Sequence, residues 1–211
     1  PELRRWTKTS PQHVDVAELD LVYPRGFFDS SFSIVRHPVG RIVSAYHFQL
    51  EVEKSIPATT RFGEWLEGLT HILAEHPFAY DNHTRPMAEL VPPDAQIFYL
   101  EHGLDVLVPW FDGITGEKAG PRVVRYMNER IEYAKAKTEP VVPTKAEIAR
   151  ISAIYTVDFR RFGYRPDRKT QAASPPALSE DVLRERDRAL RKMLHPISKL
   201  KSQVRKILFR P

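Results

Sequence analysis

A short apolar run that leads directly into a proline-initiated amphipathic segment constrains the fold more than any other feature of the sequence. Residues 32–35 read Phe-Ser-Ile-Val, an apolar run with β-branched residues that predicts a buried strand. After Pro38, apolar residues recur at helical spacing up to position 50, and proline is favoured in the first turn of a helix. The sequence therefore predicts a strand–turn–helix unit with its turn at residues 36–38.

The rest of the chain alternates in the same way between strand-like and helix-like segments. Residues 96–100 form a second apolar run that predicts a strand, and residues 62–73 and 104–111 have helical periodicity. A shorter helical rhythm starts near Val14, and a capping box at 144–147 opens a further helix. Such alternation is typical of an α/β fold with a mainly parallel sheet.

The C-terminal part of the chain differs in composition from the rest. Residues 165–178 are polar and proline-rich, which is typical of a linker. Helical periodicity then continues to the end, with a kink or break expected at Pro196, and residues 181–211 hold ten Lys and Arg against three Asp and Glu. We expect a core at 1–164, a linker at 165–178 and a basic amphipathic helical tail at 179–211. The tail is expected to be a solvated helix or to make weak contact with a membrane surface.

Several classes of protein are disfavoured by what the given chain lacks. It has no Cys, which excludes disulfides, thiolate metal sites and cysteine nucleophiles. It has neither a run of roughly 18 apolar residues nor a signal peptide, and we therefore expect a cytoplasmic protein. Its His, Asp and Glu residues lack metal-ligand spacing such as His-Glu-x-x-His, and it carries no known DNA-binding motif. We expect neither a bound metal nor a nucleic-acid partner.

The turn after the first predicted strand carries the strongest candidate site. Ligands of open α/β sheets bind outside the carboxyl ends of the strands, and Arg36 lies at such an end. A guanidinium binds phosphate through two parallel charge-assisted hydrogen bonds, and Ser44, two turns into the helix, offers a hydroxyl donor. The pattern by itself also allows a structural role, in which Arg36 pairs with a carboxylate and Ser44 packs against a neighbouring turn.

The same stretch resembles the 3′-phosphate-binding motif of sulfotransferases. That motif is Arg-Asp/His-Pro followed by Arg and then Ser-x-Tyr, and this chain has Arg36-His37-Pro38, Arg41 and Ser44-Ala45-Tyr46. The resemblance implies that Arg36 and Ser44 hold the 3′-phosphate of 3′-phosphoadenosine 5′-phosphosulfate, the sulfuryl donor, while Arg41 braces the helix. It also implies sulfuryl transfer to an acceptor hydroxyl, on a P-loop-like three-layer sandwich in which helices flank a mainly parallel sheet.

Two later segments are similar to the carbohydrate branch of this family. Residues 81–87 read Asp-Asn-His-Thr-Arg-Pro-Met and precede a predicted strand that ends in Glu101, as a His-x-Arg-Pro-Gln segment does in that branch. Met87 replaces the usual Gln. Residues 155–164 resemble the closing segment of the branch, and we expect the aromatic residues at 159, 162 and 164 to serve packing. The resemblance implies a carbohydrate acceptor.

One part of the family pattern has no counterpart in the chain. Sulfotransferases bind the 5′-phosphosulfate in a Lys-x-Gly-Thr-Thr/Ser-like loop after their first strand, where backbone N–H groups at a helix start hold the anion. Residues 6–10 read Trp-Thr-Lys-Thr-Ser, without Gly and without a strand before them. We expect either that the given chain lacks the N-terminal part of a sulfotransferase or that it is a degenerate nucleotide-binding homologue without activity.

The candidate general base is His13. An acceptor hydroxyl loses its proton as it attacks sulfur, and neutral imidazole is suited to accept that proton. In the uronyl and carbohydrate branches a catalytic histidine lies some two dozen residues before the phosphate-binding arginine, and His13 precedes Arg36 by 23 residues. The resemblance therefore implies that His13 is the base. The competing candidates are His47, His83 and His102, with His83 the nearest rival.

A different activity is also compatible with part of the turn. Arg36-His37-Pro38 is similar to the Arg-His-Gly motif of histidine phosphatases, in which the histidine is the nucleophile. Glycine in that motif lets the backbone approach the phosphate, whereas Pro38 has no N–H to donate. Arg41 and Ser44 have no part in such a scheme, so the phosphatase is the less favoured alternative.

Overall fold

The structure is a computed structural model that describes residues 8–24, 26–116, 118, 120–124, 139–168 and 173–194. Within these residues the sheet has two parallel strands, β1 (Phe32–Val35) and β2 (Gln96–Tyr99). They pair in register from Phe32 opposite Gln96 to Val35 opposite Tyr99. The predicted α/β class and parallel sheet are confirmed.

The helices alternate with the strands along the chain. In the described part of the chain they are α1 (Val16–Val22), α2 (Pro38–Phe48), α3 (Phe62–Glu75), α4 (Met87–Leu90), α5 (Leu107–Thr115), α6 (Lys145–Ile154), α7 (Thr156–Arg161) and α8 (Glu180–Leu194). The helices predicted after Pro38, at 62–73, at 104–111 and after the capping box are confirmed as α2, α3, α5 and α6. A π-helical stretch, Gln49–Glu53, continues α2.

Polar side chains at the N-termini explain where three of these helices begin. The Asp15 carboxylate accepts the backbone N–H of Glu18 at 2.8 Å and so caps α1. The ring of His37 accepts a backbone N–H in the first turn of α2. At α6 the predicted capping box is present, because Thr144 and Glu147 each accept the other's backbone N–H. Each such cap satisfies a donor that the helix itself leaves unpaired, which is typically worth about 1 kcal/mol.

The core lies where α2 and α3 pack against α6. Ile42 of α2, Leu66 of α3 and Ile151 of α6 are all 0% exposed. Full burial of an aliphatic side chain of this size stabilises the folded state by about 1.5–3 kcal/mol relative to exposure. The aromatic residues at 159, 162 and 164 are also buried, so their expected packing role is confirmed. This packing holds α2 firmly, and the two ends of α2 carry the candidate site.

The described residues divide into two compact units, one within Pro1–Glu101 and Asn128–Ser174, the other within His102–Met127 and Pro175–Pro211. In the second unit Arg122 donates two hydrogen bonds of 2.7 Å to the Asp112 carboxylate and lies 3.4 Å from Glu185 of α8. The domain boundaries at 164 and 179 stay predictions, and the kink expected at Pro196 lies outside the described residues. No helix in the described ranges is both long and apolar enough to cross a membrane.

Candidate functional site

The turn between β1 and α2 is held by the carboxylate that follows β2. Glu101 accepts the backbone N–H of His37 at 2.7 Å and the hydroxyl of Tyr164 at 2.9 Å. The His37 ring lies 3.1 Å from the carbonyl oxygen of Arg165. Two distant segments, Glu101 and residues 164–165, thus fix the turn in which Arg36 lies. Sequence reasoning gave Glu101 no role, although the parallel register brings the residues after β1 and β2 together.

The side chain of Arg36, which precedes α2, runs along the face of α2 that carries Ser44. The Arg36 guanidinium is half-buried and runs across Gly40, where a Cβ atom would lie only 3.3 Å from Arg36 Nε. Ser44 follows Gly40 by one helical turn on the same face and is exposed. Burial lowers the pKa of Arg36, against the opposing influence of Glu101 and Tyr164, but a guanidinium remains charged at physiological pH. The two residues predicted to bind phosphate thus share one helix face, and their binding role stays a prediction.

A second guanidinium, that of Arg41, borders a cavity together with Arg36. Arg36 and Arg41 both line an open cavity of about 360 Å³ beside β1 and α4. Arg41 donates a long hydrogen bond of 3.4 Å to the carbonyl oxygen of Asn82, while its buried Nη1 has no hydrogen-bond partner among the described residues. Burial lowers the pKa of Arg41, and the nearby Tyr155 and Asp158 oppose that shift. Two guanidinium groups at its border make this cavity electropositive, which suits an anion.

His13 lies in a cluster that sequence reasoning found only in part. It ends the 3₁₀ turn Pro11–His13, and its Nδ1 is 2.9 Å from Asp81 Oδ2 and 3.0 Å from Ser10 Oγ. Its Nε2 is 3.3 Å from Nε2 of His83, with the two rings edge to face. The predicted base and its nearest rival are therefore direct neighbours. Asp81 was not recognised as a partner because it is 68 residues away in the sequence.

The backbone around Asp81 has a strained conformation that hydrogen bonds hold in place. Tyr80, Asp81 and Asn82 have φ values of 57°, 52° and 63°, a left-handed conformation that costs non-glycine residues on the order of 1–3 kcal/mol each. Two further hydrogen bonds join it to the N-terminal segment. The Ser10 N–H donates to Asp81 Oδ1 at 2.6 Å, and Asn82 Nδ2 donates at 2.8 Å to the carbonyl oxygen of His13, which also accepts the Thr9 hydroxyl at 3.1 Å.

His83 is kept neutral by its surroundings. Gln49 Nε2 lies 3.0 Å from His83 Nδ1, and Gln49 Oε1 accepts the Ser55 hydroxyl at 2.7 Å. Burial, together with the neighbouring His13 and Arg41, lowers the pKa of His83 to about 4. Burial opposes ionisation of Asp81, but the hydrogen bonds from Ser10 and His13 outweigh it and lower its pKa to about 2. The cluster thus joins a carboxylate to a weakly basic imidazole through His13.

The other histidines named as candidates have different surroundings. His47 is 5% exposed and its Nδ1 lies 3.4 Å from Glu51, so it belongs to the interior. His102 ends the 3₁₀ turn Leu100–His102. His37, the nucleophile of the phosphatase alternative, is also 5% exposed, and both of its ring nitrogens are engaged. A ring held in this way cannot attack a phosphate. In the described ranges no three His, Asp or Glu side chains form a cluster suited to a metal ion.

The segment that carries His83 is anchored by residues 155–164. The Tyr155 hydroxyl donates to the carbonyl oxygen of Thr84 at 2.6 Å, and Asp158 accepts the backbone N–H of Met87 at 2.9 Å. Arg85 pairs with Asp15 at 3.0 Å, which ties the segment to the start of α1. Met87 is itself buried in the core, so an apolar residue suits the position where the resembling family segment has Gln.

The two parts of the site lie at opposite ends of α2. Gly40, under Arg36, is in the first turn, whereas the ring of Phe48 at the last turn contacts His83 with 4.8 Å between ring centroids. At 1.5 Å per residue, Gly40 and Phe48 are roughly 12 Å apart along the helix axis. An extended ligand that lies along α2 would therefore reach both parts.

A model described as the sulfotransferase family matches residues 4–165. Neither a curated protein nor a solved structure matches the chain. The matched range contains the Arg36–Ser44 face of α2 as well as the cluster of His13, Asp81 and His83, so both parts of the site fall within the family region.

Proposed function

This chain belongs to the sulfotransferase family, and we propose that it moves a sulfuryl group from 3′-phosphoadenosine 5′-phosphosulfate to an acceptor hydroxyl. The family membership supports sulfuryl transfer in general. The nucleotide donor is supported by the motif at Arg36 and Ser44. A carbohydrate acceptor is supported by the resemblance of residues 81–87 to the carbohydrate branch. The cytoplasmic location stays a prediction.

Arg36 and Ser44 hold the 3′-phosphate in this proposal. The observation that carries it is the shared face of α2, where a half-buried guanidinium crosses Gly40 and an exposed hydroxyl follows one turn later. Glycine at position 40 leaves the space that the guanidinium occupies. Arg41 adds positive potential, because it also lines the cavity beside β1 and α4. Charge-assisted bonds of this kind are about twice as strong as neutral ones.

His13 accepts the proton of the acceptor hydroxyl. As the acceptor oxygen bonds to sulfur, the bond from sulfur to the 5′-phosphate oxygen breaks, and 3′-phosphoadenosine 5′-phosphate leaves. The proton passes from the hydroxyl to the His13 ring. Most of the rate enhancement of such a displacement comes from positioning and charge stabilisation. His83 is poorly suited to this role, because burial lowers its pKa to about 4.

The two ends of α2 match the two ends of this donor. The donor bears its 3′-phosphate and its sulfuryl group on opposite sides of the ribose. A phosphate bound beside Gly40 would leave the 5′ side of the nucleotide free to extend toward Phe48 and His83, which are in ring contact. This arrangement assigns binding to one end of the helix and proton transfer to the other.

Calorimetric titration tests the nucleotide site. Wild type, Arg36→Ala and Ser44→Ala are titrated with 3′-phosphoadenosine 5′-phosphate and with adenosine 5′-phosphate. Loss of a charge-assisted bond worth about 1.5–3 kcal/mol should weaken binding of the first nucleotide roughly ten- to a hundredfold in Arg36→Ala. Arg150→Ala, which removes an exposed arginine of α6, is the matched control and should bind normally. Equal affinity of wild type for both nucleotides contradicts the assignment.

An activity assay separates an enzyme from a degenerate homologue. Transfer of labelled sulfuryl from the donor to a panel of sugar hydroxyls is measured with the full chain. An active sulfotransferase yields labelled product and 3′-phosphoadenosine 5′-phosphate in equal amounts. Tight nucleotide binding without any transfer is the result expected of a homologue that has kept the nucleotide site and lost the reaction.

A further inference from the structure

The polar contacts around His13 fit one direction of hydrogen bonding, which starts at Ser55. The Ser55 hydroxyl donates to Gln49 Oε1 at 2.7 Å, and the amide nitrogen of Gln49 faces His83 Nδ1 at 3.0 Å. An amide nitrogen only donates. His83 Nδ1 must therefore accept, and the neutral His83 ring carries its proton on Nε2.

The same reasoning continues through His13. His83 Nε2–H points at His13 Nε2 across 3.3 Å, so this nitrogen of His13 must be the acceptor. The proton of His13 is then on Nδ1, which is 2.9 Å from Asp81 Oδ2. A carboxylate only accepts, so the arrangement from Ser55 to Asp81 is consistent at each step.

We infer that Asp81 is a positioning residue that holds the proton of His13 on Nδ1 and so leaves the lone pair of His13 on Nε2. This inference rests on the proposed role of His13 as the base. The acceptor hydroxyl takes the place of the His83 N–H at Nε2, and its proton ends on that nitrogen. The imidazolium then faces the Asp81 carboxylate, which stabilises it.

The local backbone supports a dedicated role for Asp81. Tyr80, Asp81 and Asn82 all have left-handed φ values, and non-glycine residues keep such conformations only where the surroundings impose them. This strained conformation places the Asp81 carboxylate beside His13, which is 68 residues away in the sequence. Its low pKa, about 2, keeps the carboxylate ionised at any pH at which imidazole is neutral.

The variant Asp81→Asn has a defined consequence. The Ser10 N–H lies 2.6 Å from Asp81 Oδ1, so the amide oxygen of an asparagine must occupy that position. Its NH₂ group then faces His13 Nδ1 and donates to it. The donor at Nδ1 favours the His13 proton on Nε2, at the cost of the 3.3 Å contact with the His83 N–H, and no lone pair remains for the acceptor hydroxyl. The side chain keeps its size, so the change affects proton placement more than packing.

Nitrogen-15 NMR of the histidine rings tests the inference without reference to activity. His13→Gln identifies the His13 signals by their disappearance. Wild-type His13 should be the Nδ1–H tautomer, and Asp81→Asn should convert it to the Nε2–H tautomer. Asp20→Asn removes an exposed carboxylate from α1 and should leave the tautomer unchanged. An Nε2–H tautomer in wild type, or an unaltered tautomer in folded Asp81→Asn, overturns the inference.

Two further readings complete the test. If Asp81→Asn does not fold, the proton NMR spectrum of the wild type still tests the inference. An N–H bonded to a carboxylate resonates downfield, so a His13 Nδ1–H signal without that downfield shift would overturn the inference. In the full chain Asp81→Asn should lower kcat by about a hundredfold or more with little change in the KM of the donor. Absence of turnover in wild type contradicts the proposed function but leaves the tautomer result valid.

Discussion

At the N-terminal end of α2 the candidate site comes from nine consecutive residues, 36–44, whereas at its C-terminal end it joins segments 34 to 70 residues apart. The first end offers positive charge to a ligand, since Arg36 and Arg41 both line the cavity there. At the second end both nitrogens of His13 and both of His83 are engaged. In the proposed function, binding would thus depend on positive charge at the first end, and proton transfer would depend on prearranged partners at the second.

The largest expected effect comes from removing the base. His13→Ala in the full chain should cut turnover about a hundred- to ten-thousandfold, the usual contribution of a general base. Nucleotide affinity should hardly change, because His13 does not contact the phosphate end of α2. Steady-state kinetics and calorimetry measure the two quantities, with His71→Ala of α3, an exposed histidine, as the control.

His83, the competing candidate base, provides the outcome that would contradict this prediction. If His13→Ala keeps near-normal turnover while His83→Ala abolishes it, the base is His83. The C-terminal end of α2 would still be the reactive end, but its hydrogen bonds would have to run in the opposite direction.

A smaller effect on nucleotide affinity is expected from adding a methyl group at Gly40, which lies beneath the Arg36 guanidinium. A Cβ atom at position 40 would lie 3.3 Å from Arg36 Nε and displace the guanidinium by a few tenths of an ångström. Weakening one hydrogen bond by about 1 kcal/mol should reduce affinity for 3′-phosphoadenosine 5′-phosphate roughly fivefold in Gly40→Ala. Gly113→Ala is the matched control, because nothing lies within 4 Å of its Cβ position in α5. Equal affinities of the two variants would show that Arg36 does not bind the nucleotide.

The C-terminal end of α2 should also be the more acid-sensitive one. The pKa of His83 is about 4 in the folded protein against 6.5 for the free side chain, so the unfolded chain binds the proton more readily. Stability should therefore fall as the pH is lowered from 6.5 towards 4. His83→Gln should reduce this fall in thermal-melting experiments, whereas His71→Gln should not. An unchanged acid profile in His83→Gln would contradict a buried neutral His83.

The smallest effect is expected from removing the tail. Deletion of residues 179–211 should leave the melting of the unit that contains α2 cooperative, because the contacts of that site lie within 8–101 and 139–168. Any binding to anionic vesicles should vanish with the tail, and in wild type it should fall steeply with added salt. Loss of cooperative melting after the deletion would show that the tail belongs to the core.

The two ends of α2 also differ in how much of their structure could be predicted from the sequence. The β1–α2 unit was predictable because its apolar periodicity and Pro38 act over a few residues. Glu101 could have been placed at the turn from the parallel register, since Val35 lies opposite Tyr99. Asp81 could not be placed, because left-handed φ values in three successive non-glycine residues follow from tertiary contacts. The second unit combines residues 102–127 with the C-terminal helix. This pairing also depends on tertiary contacts and has no local signal in the sequence.

A crystal structure of the full chain with 3′-phosphoadenosine 5′-phosphate tests the central claim most directly. We predict that the 3′-phosphate lies within hydrogen-bond distance of the Arg36 guanidinium and the Ser44 hydroxyl, with the 5′-phosphate directed along α2 towards His13. A 3′-phosphate bound elsewhere, with Arg36 paired to Glu101 in its place, would contradict the account.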